Sequence, residues 1–463
     1  MTITDVQSGG ARERLLKALR GGTSDAVVIG AAAAHLRAHW PADVQALARD
    51  ELLAELLVTT LIYPAWLERK MTALRRTFLL EGCVEAAWPL LARLAIQCHL
   101  NEYAWAVDVV EQVWVDALLG QVERLTPAQA MALGCYVPLG RLPDADVLLA
   151  KGWTGPAASV LEEQVLTVRR EAALQSRIQT LTPIRAGTSE TVQGQYEESP
   201  YPRWRRVTPI AAAASIFGWR PPPNPNVLFA GCGTGFHAIH AGQRYANARV
   251  LAVDLSRASL GYALRKAREA GITNMAFCQA DLLELGATGL QFEAIECSGV
   301  LHHLADPFEG ARVLSGLLRP GGIMKLGLYS ALARQGLKPA KALAARYTPQ
   351  TIRELRQAIL DAPDDDPVRA AARFSDFYAT SACRDLLMHV QEHEMSIGDL
   401  KRIVEENGLR FLGFGLDDTV RAAFRAMFPF EGAETDLDRW ATFEAQNPRT
   451  FASMYQFWVW KPA

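Results

Sequence analysis

The apolar positions of this chain follow two different patterns. From about residue 10 to 180 they recur at helical spacing, with short Gly or Pro breaks between segments and no strand-like run. Leu67, Met71, Leu74 and Phe78 form one such amphipathic face. This pattern predicts an all-α domain over residues 1–181.

The connections between these helices are short, which favours antiparallel helix pairs, stacked in the manner of a tetratricopeptide array. No 34-residue repeat signature supports that reading, and an irregular helical domain is the alternative. One further helix is expected to start at Asn101 as its cap and to carry Trp105, Val109, Val113 and Trp114.

Residues 182–225 change in character. Pro183, Pro200, Pro202 and the run Pro221-Pro222-Pro223 prevent a continuous helix and predict a domain boundary. The segment 195–205 within it is rich in aromatic and charged residues. We therefore expect residues 182–225 to be a linker that also serves as a lid.

From Asn226 onward, short apolar runs alternate with amphipathic segments, as in a parallel sheet covered by helices. The runs lie at residues 227–229, 250–253, 275–278, 294–295 and 323–326. Residues 331–408 interrupt the alternation as a helical insertion, and residues 409–414 and 454–460 resume it as a terminal antiparallel pair. The prediction is one α/β domain over residues 226–463.

The composition is that of an ordinary soluble protein, with 50% hydrophobic and 21% charged residues and a formal net charge of −2. Such a balance gives no electrostatic reason to expect a nucleic-acid or membrane partner. The 7 cysteines are scattered without a C-x-x-C pair, and the first residues lack the pattern of a signal peptide. We expect a cytoplasmic protein without a transmembrane segment; its oligomeric state is open.

A glycine-rich loop, Ala230-Gly231-Cys232-Gly233-Thr234-Gly235, follows the first predicted strand of the sheet. A loop of this kind lets the backbone approach a nucleotide closely and directs helix-terminal N–H groups at it. The spacing is G-x-G-x-G, whereas a dinucleotide fingerprint would need a third glycine at Phe236. The spacing therefore argues against NAD.

Further candidate residues follow the next three strands, at the sheet edge where ligands of such folds bind. Asp254-Leu255 ends the second strand, where a carboxylate can accept hydrogen bonds from ribose hydroxyls; capping the next helix is the alternative. Asp281-Leu282 follows the third strand, where it could contact an adenine ring or cap a helix. Cys297-Ser298 and His302-His303 follow the fourth strand.

These elements, in this order, resemble the class I S-adenosylmethionine-dependent methyltransferases, and the run Val300 to Pro307 is typical of that family. The resemblance implies a Rossmann-like domain with a seven-stranded, mostly parallel sheet, and S-adenosylmethionine as the cofactor. It implies a cofactor pocket made of Gly231, Cys232, Gly233, Gly235, Asp254, Leu255, Asp281, Leu282, Cys297 and Ser298. One departure is Ala230, where many members carry an acidic residue. The whole chain is also similar to bacterial proteins in which a tetratricopeptide-like region precedes such a domain.

Methyl transfer is an in-line displacement, so positioning contributes most and a general base is needed only for some acceptors. His303 and His302 are the first candidates for that base, and Tyr196 and Glu197 of the lid are the alternatives. Tyr201, Arg203 and Trp204 are candidate substrate contacts, because a cationic methyl donor is attracted to aromatic faces. Their alternative role is to anchor one domain on the other.

The run from His389 to His393 matches the H-x-x-E-H zinc pattern. Five residues match readily by chance, and no third ligand is identifiable. We therefore predict no metal site and expect a polar helix face bordering the substrate cleft.

The size of the helical domain bears on the class of methyl acceptor. A helical domain of this size exceeds what a small metabolite needs, and helical arrays commonly bind peptides, so a peptide or protein side chain is favoured. A small molecule or natural product is the alternative, and a non-catalytic sensor or scaffold that binds adenosylmethionine is a third possibility. A nucleic-acid acceptor is not expected.

Overall fold

The computed structural model describes residues 10–22, 26–208, 210–451 and 454–463. The amino-terminal residues on which the expected absence of a signal peptide rests lie outside these ranges. The chain forms two compact units. The helical unit comprises residues up to Ala172, Pro202–Thr208 and Pro339–Met388, and the sheet unit comprises Ala173–Tyr201, Pro209–Lys338 and His389–Ala463.

The helices, in chain order, are α1 Ala11–Arg20, α2 Ala26–Ala38, α3 Val44–Arg49, α4 Glu51–Thr59, α5 Ala65–Leu80, α6 Trp88–Leu100, α7 Val109–Leu119, α8 Pro127–Leu133, α9 Ala145–Ala150, α10 Gly155–Leu161, α11 Thr167–Gln175, α12 Thr188–Glu198, α13 Phe236–Gly242, α14 Arg257–Glu269, α15 Pro307–Leu317, α16 Ala331–Arg334, α17 Lys338–Ala344, α18 Ile352–Asp361, α19 Thr380–Met388, α20 Ile397–Glu406, α21 Asp418–Met427 and α22 Leu437–Gln446. The strands are β1 Gln179–Thr180, β2 Asn226–Ala230, β3 Arg249–Asp254, β4 Met275–Gln279, β5 Phe292–Ser298, β6 Leu318–Tyr329, β7 Arg410–Phe414 and β8 Met454–Trp460.

The helical unit has an apolar core contributed by α1 to α10. The expected helix starting at Asn101 is wrong. Asn101 ends α6, and α7 begins only at Val109, because Asp108 and Glu111 form a capping box around its first turn. Trp105 therefore lies in the loop between the two helices, where it is buried.

The sheet unit contains one sheet with the strand order β1-β4-β3-β2-β5-β6-β8-β7. The strands from β1 to β6 pair in parallel, and β8 runs antiparallel between β6 and β7. This confirms the predicted mostly parallel sheet and its terminal antiparallel pair. The eighth strand is β1, whose two residues pair with the edge strand β4 and were too short to produce a sequence pattern.

Two segments are organised differently from the sequence prediction. The stretch 182–225 includes a complete helix, α12, beside its proline-rich parts. Residues 339–388, expected to be part of an insertion within the α/β domain, pack in the helical unit instead. The reason is a long-range contact: the buried Arg356 of α18 forms two hydrogen bonds to Glu68 of α5, at 2.8 and 3.3 Å.

The order β3-β2-β5 places the carboxyl ends of three neighbouring parallel strands at one edge of the sheet. The glycine loop follows β2, Asp254 ends β3, and the His302-His303 loop follows β5. Across the parts of the chain that the structure describes, no helix combines the length and apolarity needed to cross a bilayer.

Candidate functional site

The glycine loop has a backbone that only glycine adopts without strain. Gly231, Gly233 and Gly235 have φ angles of 70°, 52° and 84°, all in the left-handed region. A Cβ on Gly231 would lie 2.2 Å from a Val300 methyl carbon, and one on Gly235 would lie 2.7 Å from the Ala263 Cβ. The loop is therefore packed tightly between α14 and the loop that follows β5, with its backbone at the sheet edge.

Asp254 is bound to the glycine loop. Its carboxylate accepts hydrogen bonds from the backbone N–H of Gly233, at 2.7 Å, and of Ser256, at 2.9 Å. Burial raises the pKa of Asp254 to about 6, and these N–H groups limit the rise. A carboxylate has about four lone-pair directions, so acceptor capacity remains after the backbone contacts. Leu255, next in the chain, is partly buried, and its carbonyl accepts from the Gln279 amide.

Asp281 is buried after β4 and caps the short 3-10 helix Leu282–Thr288. Its carboxylate accepts from the Leu283 N–H and from the Arg185 N–H, each at 3.0 Å, and its own N–H donates to Thr182. Leu282 is buried beside it. The segment that contains Thr182 and Arg185 thus covers the carboxyl end of β4, a contact that no sequence pattern indicated.

The predicted pocket residues Cys232, Cys297 and Ser298 lie around the same edge. Burial raises the pKa of both thiols, so neither cysteine is a thiolate nucleophile. Ser298 ends β5, and its hydroxyl lies 3.5 Å from the Met454 sulfur.

The end of α12 is attached to the start of α14. The Glu197 carboxylate accepts from the backbone N–H of Arg257, at 2.7 Å, and of Ala258, at 3.0 Å. The Ser256 hydroxyl donates to the Tyr196 carbonyl at 3.0 Å. Glu197 thus stabilises the N-terminus of α14, where a negative charge is favourable. As a general base it remains a prediction, with both of its oxygens in helix-capping contacts.

The chain then continues over the glycine loop. The Tyr201 carbonyl oxygen lies 3.4 Å from the Thr234 N–H and would be 2.8 Å from a Cβ on Gly233. Residues 196–201 therefore contact both α14 and the glycine loop, as a lid would.

Arg203 and Trp204, the other predicted substrate contacts, belong to the helical unit. The Arg203 guanidinium donates to Glu102, at 3.3 Å, and lies 3.8 Å from Glu171. Trp204 is buried. The predicted substrate set is thus divided between the two units, and only Tyr201 lies at the glycine loop.

His303 is oriented by the backbone of Gln391. Its Nδ1 lies 2.8 Å from the Gln391 carbonyl oxygen, which can only accept, so Nδ1 carries a proton. In the neutral ring Nε2 then has the lone pair and is the atom that can take a proton. The ring stacks on His389 with centroids 3.6 Å apart.

The backbone of Gln391 also orients His389. The Gln391 N–H donates to His389 Nδ1 at 3.0 Å, so the His389 proton is on Nε2. That nitrogen lies 3.2 Å from the Tyr196 hydroxyl, which accepts from it. A tyrosine of the lid is therefore joined to a histidine stacked on His303.

His302 differs from its neighbour. It is fully buried, its Nδ1 accepts from the Tyr329 N–H at 3.3 Å, and its ring stacks on Tyr329. Burial and then the charge of His303 lower the pKa of His302 well below its usual value. Within the described ranges Nε2 has no hydrogen-bond partner. His302 therefore stays neutral and has the contacts of a packing residue.

The H-x-x-E-H run forms a loop after α19, so the expected polar helix face is wrong. Both carboxylate oxygens of Glu392 accept hydrogen bonds from Arg334, at 3.1 and 2.9 Å. The Arg334 guanidinium also lies 3.7 Å from the ring centroid of Tyr329. The His393 N–H donates to the His302 carbonyl at 2.8 Å. This loop holds the histidine cluster in place.

A buried carboxylate on β5 was missed by the sequence analysis. Glu296 accepts from His237 at 2.8 Å, from Tyr245 at 2.7 Å and from Arg244 at 3.2 Å, and pairs in register with Lys325. Burial by itself would raise the pKa of Glu296. The hydrogen bond and charge of His237, and then the charges of Lys325 and Arg244, outweigh burial and lower this pKa to about 2. The network ties α13, which follows the glycine loop, to the centre of the sheet. The strand pattern shows only one acidic residue in an apolar run, which gives no sign of these partners.

A family model matches part of this chain. Residues 227–322 match the family model described as a methyltransferase domain. An uncharacterized Synechococcus protein, syc1184_c, is 26% identical over 287 residues, which cover 54% of this chain and 69% of that protein. A tRNA U34 carboxymethyltransferase of Alcanivorax borkumensis is 30% identical over 196 residues, which cover 41% of this chain and 58% of the relative.

Among solved structures, PKMT2 from Rickettsia typhi in complex with AdoHcy is similar at 19% identity, with a TM-score of 0.41 and coverage of 53% of this chain and 51% of that one. Magnesium protoporphyrin IX methyltransferase (ChlM) from Synechocystis with bound SAH has 17% identity, a TM-score of 0.30 and coverage of 52% and 75%. The chain thus spans about half the length of PKMT2.

Proposed function

We proceed from the class I S-adenosylmethionine-dependent methyltransferase domain that this chain carries at residues 227–322, and propose that the protein transfers a methyl group to a side chain of a peptide or protein. The observation that supports the chemistry best is the orientation of His303 by Gln391. It presents a basic nitrogen in the loop that also packs against Gly231 through Val300.

The residues at the sheet edge fit the cofactor. A Cβ at any of Gly231, Gly233 or Gly235 would enter neighbouring atoms, so the loop backbone can approach a ligand closely. Asp254 retains acceptor capacity for ribose hydroxyls. Leu282 and Asp281 would lie at the adenine, and Cys232, Leu255, Cys297 and Ser298 would line the remainder of the pocket.

When bound, S-adenosylmethionine supplies an electrophilic methyl group on a sulfonium, which leaves as a neutral thioether. We assign the acceptor proton to His303 Nε2, as the bond from the acceptor atom to the methyl carbon forms and the carbon–sulfur bond breaks. Tyr196, whose hydroxyl accepts from His389, lies next to the ring that stacks on His303 and can help to orient the acceptor. Residues 196–201 would exclude water from the pocket.

A peptide or protein acceptor is supported by the helical unit. Helix α7 exposes Val109, Val110, Val113 and Trp114, with Val109 81% exposed. A contiguous apolar surface of this kind is typical of protein contacts.

Transfer of a plain methyl group, rather than the carboxymethyl group named for the Alcanivorax relative, is supported by Arg334. A carboxymethyl donor brings a carboxylate that needs a cationic partner. The Arg334 guanidinium, which lies over the Tyr329 ring that stacks on His302, is already matched by both oxygens of Glu392.

The test is incubation of purified protein with cell extract and donor labelled in the methyl group. We expect label in a discrete protein band that protease removes and ribonuclease does not, and no label with the Asp254→Ala variant. His240→Gln, a substitution on α13, is the matched control and should label as the wild type does. Label confined to small molecules or to RNA would refute the peptide proposal, and no label in any fraction would refute methyl transfer.

A further inference from the structure

Helices α5 and α18 of the helical unit carry charged side chains in two layers. In the first layer Arg356 is matched by Glu68. On α18, Arg353 lies one turn before Arg356. On α5, Arg75 lies two turns after Glu68. These two arginines form the second layer, which therefore places two cations near each other. Burial and then the repulsion from Arg75 lower the pKa of Arg353. An acidic residue that acts on Arg353 is Glu354, its exposed neighbour in the chain.

Arg75 is only partly satisfied. It is 1% exposed, and Nη2 donates to the Ala106 carbonyl and lies 3.4 Å from a Glu111 oxygen. Glu111 already accepts from the Tyr136 hydroxyl at 2.6 Å and from the Asp108 N–H at 2.8 Å. Among the residues that the structure describes, Arg75 Nε has no acceptor.

The loop between α6 and α7 adds two more donors. Trp105 is 1% exposed, and the Arg75 guanidinium lies 5.8 Å from its ring centroid. The Trp105 indole N–H and the Asn101 Nδ2 also lack an acceptor in the described part of the chain. The Asn101 Oδ1 accepts from the Ala104 N–H at 3.2 Å, which fixes the amide with its nitrogen on the other side.

The backbone of this loop is held in an uncommon conformation. Glu102 and Tyr103 have φ angles of 58° and 60°, in the left-handed region that non-glycine residues rarely adopt. Such strain is maintained by the surrounding contacts and is concentrated at functional sites. Here it sets Asn101 and Trp105 on either side of the turn.

The three buried groups named above that lack an acceptor, on Arg75, Trp105 and Asn101, are all hydrogen-bond donors. Buried donors without acceptors are costly. The Glu111 carboxylate that Arg75 approaches is also used by Tyr136 and Asp108, and Arg353 adds a second cation whose charge acts on Arg75. We propose that Arg75, Arg353 and Trp105, with Asn101, form a binding site for a carboxylate group. A planar carboxylate supplies the missing acceptor oxygens and pairs with guanidinium groups in a fixed geometry.

Entry to this site is past Arg353. Arg75, Trp105 and Asn101 are nearly inaccessible, but Arg353 is only partly buried. The carboxylate belongs either to a small organic acid or to an acidic side chain of a peptide. These sources share the same chemistry, and the experiment separates them.

The experiment measures the melting temperature of the full-length protein while acetate replaces chloride at constant ionic strength, up to about 100 mM. A second arm uses the peptide acetyl-Gly-Glu-Gly-amide. For the wild type we expect a melting temperature that rises with the logarithm of acetate concentration. A rise in the acetate arm alone assigns the site to small acids, and a rise in both arms assigns it also to acidic side chains.

Two variants localise the effect. Arg353→Met should raise the acetate concentration needed for a given increase in melting temperature about tenfold or more. In chloride this variant should melt no lower than the wild type, because a like-charge contact is gone. Trp105→Phe, which keeps most of the ring and removes the N–H, should also weaken the response. The matched control is Arg346→Met, an exposed position that should respond as the wild type does. An identical response in all variants, or no response in the wild type, would overturn the site.

Discussion

The Gln391 carbonyl oxygen lies 2.8 Å from Nδ1 of His303. This bond decides which nitrogen of His303 can act as a base, and the Gln391 N–H simultaneously decides the tautomer of His389. Neither effect is visible in the sequence, where residues 303 and 391 are far apart.

Replacing His303 by Gln removes the basic nitrogen while keeping a side chain that can donate to Gln391. We expect kcat to fall about 100-fold or more, the usual contribution of a positioned base. The dissociation constant for S-adenosylmethionine should change less than about twofold, because the cofactor contacts are elsewhere. Calorimetry and turnover measure the two effects, with His240→Gln as the control. Wild-type turnover would remove His303 from the mechanism.

The affinity for S-adenosylmethionine should depend on pH through Asp254. Its pKa of about 6 in the free protein lies above the ordinary 3.8, so ionisation of Asp254 lowers folding stability progressively as pH rises from about 3.8 to about 6. The ionised carboxylate can accept from ribose hydroxyls with both oxygens, whereas protonation turns one oxygen into a donor and weakens these contacts. Below pH 6 the dissociation constant should therefore increase about tenfold per pH unit, which titration calorimetry between pH 5 and pH 8 would show. An equal affinity across this range would contradict the assignment.

Glu197→Gln distinguishes a helix cap from a base. Loss of the charged cap of α14 should lower stability by about 1 kcal/mol. The charge of Glu197 also raises the pKa of Asp254, so the midpoint of the pH dependence of cofactor binding should move downward. Chemical unfolding and calorimetry check both. Lost turnover with unchanged stability and an unchanged midpoint would favour the catalytic role.

Gly233→Ala tests the lid. The new Cβ would lie 2.8 Å from the Tyr201 carbonyl oxygen, on a residue with φ 52°. We expect a stability loss of about 1–3 kcal/mol, cofactor binding weakened about tenfold or more, and faster proteolysis at residues 196–201. Gly336→Ala, in the same unit with nothing near its Cβ position, is the control. Proteolysis no faster than that of the control would mean that the segment does not rest on the loop.

Glu296→Gln leaves His237, Arg244 and Lys325 around a neutral amide. Because the folded pKa of about 2 lies below the ordinary 4.5, this carboxylate contributes about 3 kcal/mol at neutral pH, which is lost as pH falls from about 4.5 to 2. Urea unfolding should show a deficit of about that size for the variant at pH 7 and a smaller one at pH 3. A deficit independent of pH would indicate lost packing instead.

Much of the α/β domain could be predicted because its signals are local. The strand runs were expected from neighbouring residues, and the ends of α14 are also local: the Ser256 hydroxyl caps its first turn, and Gly271, with a φ of 68°, lies just past its last. The loop around Trp105 was mispredicted because two candidate caps, Asn101 and Asp108, compete within one stretch. Only the side-chain contacts of Glu111 select the second.

The sequence by itself determined the sheet, the G-x-G-x-G loop and the acidic residues at the strand ends, because strand periodicity and glycine conformation act over a few residues. The tertiary structure decided that residues 339–388 join the helical unit, that Tyr201 lies on Gly233, and that Gln391 orients His303. These depend on hydrogen bonds and buried charges between segments distant in the chain, whose partners no local pattern specifies.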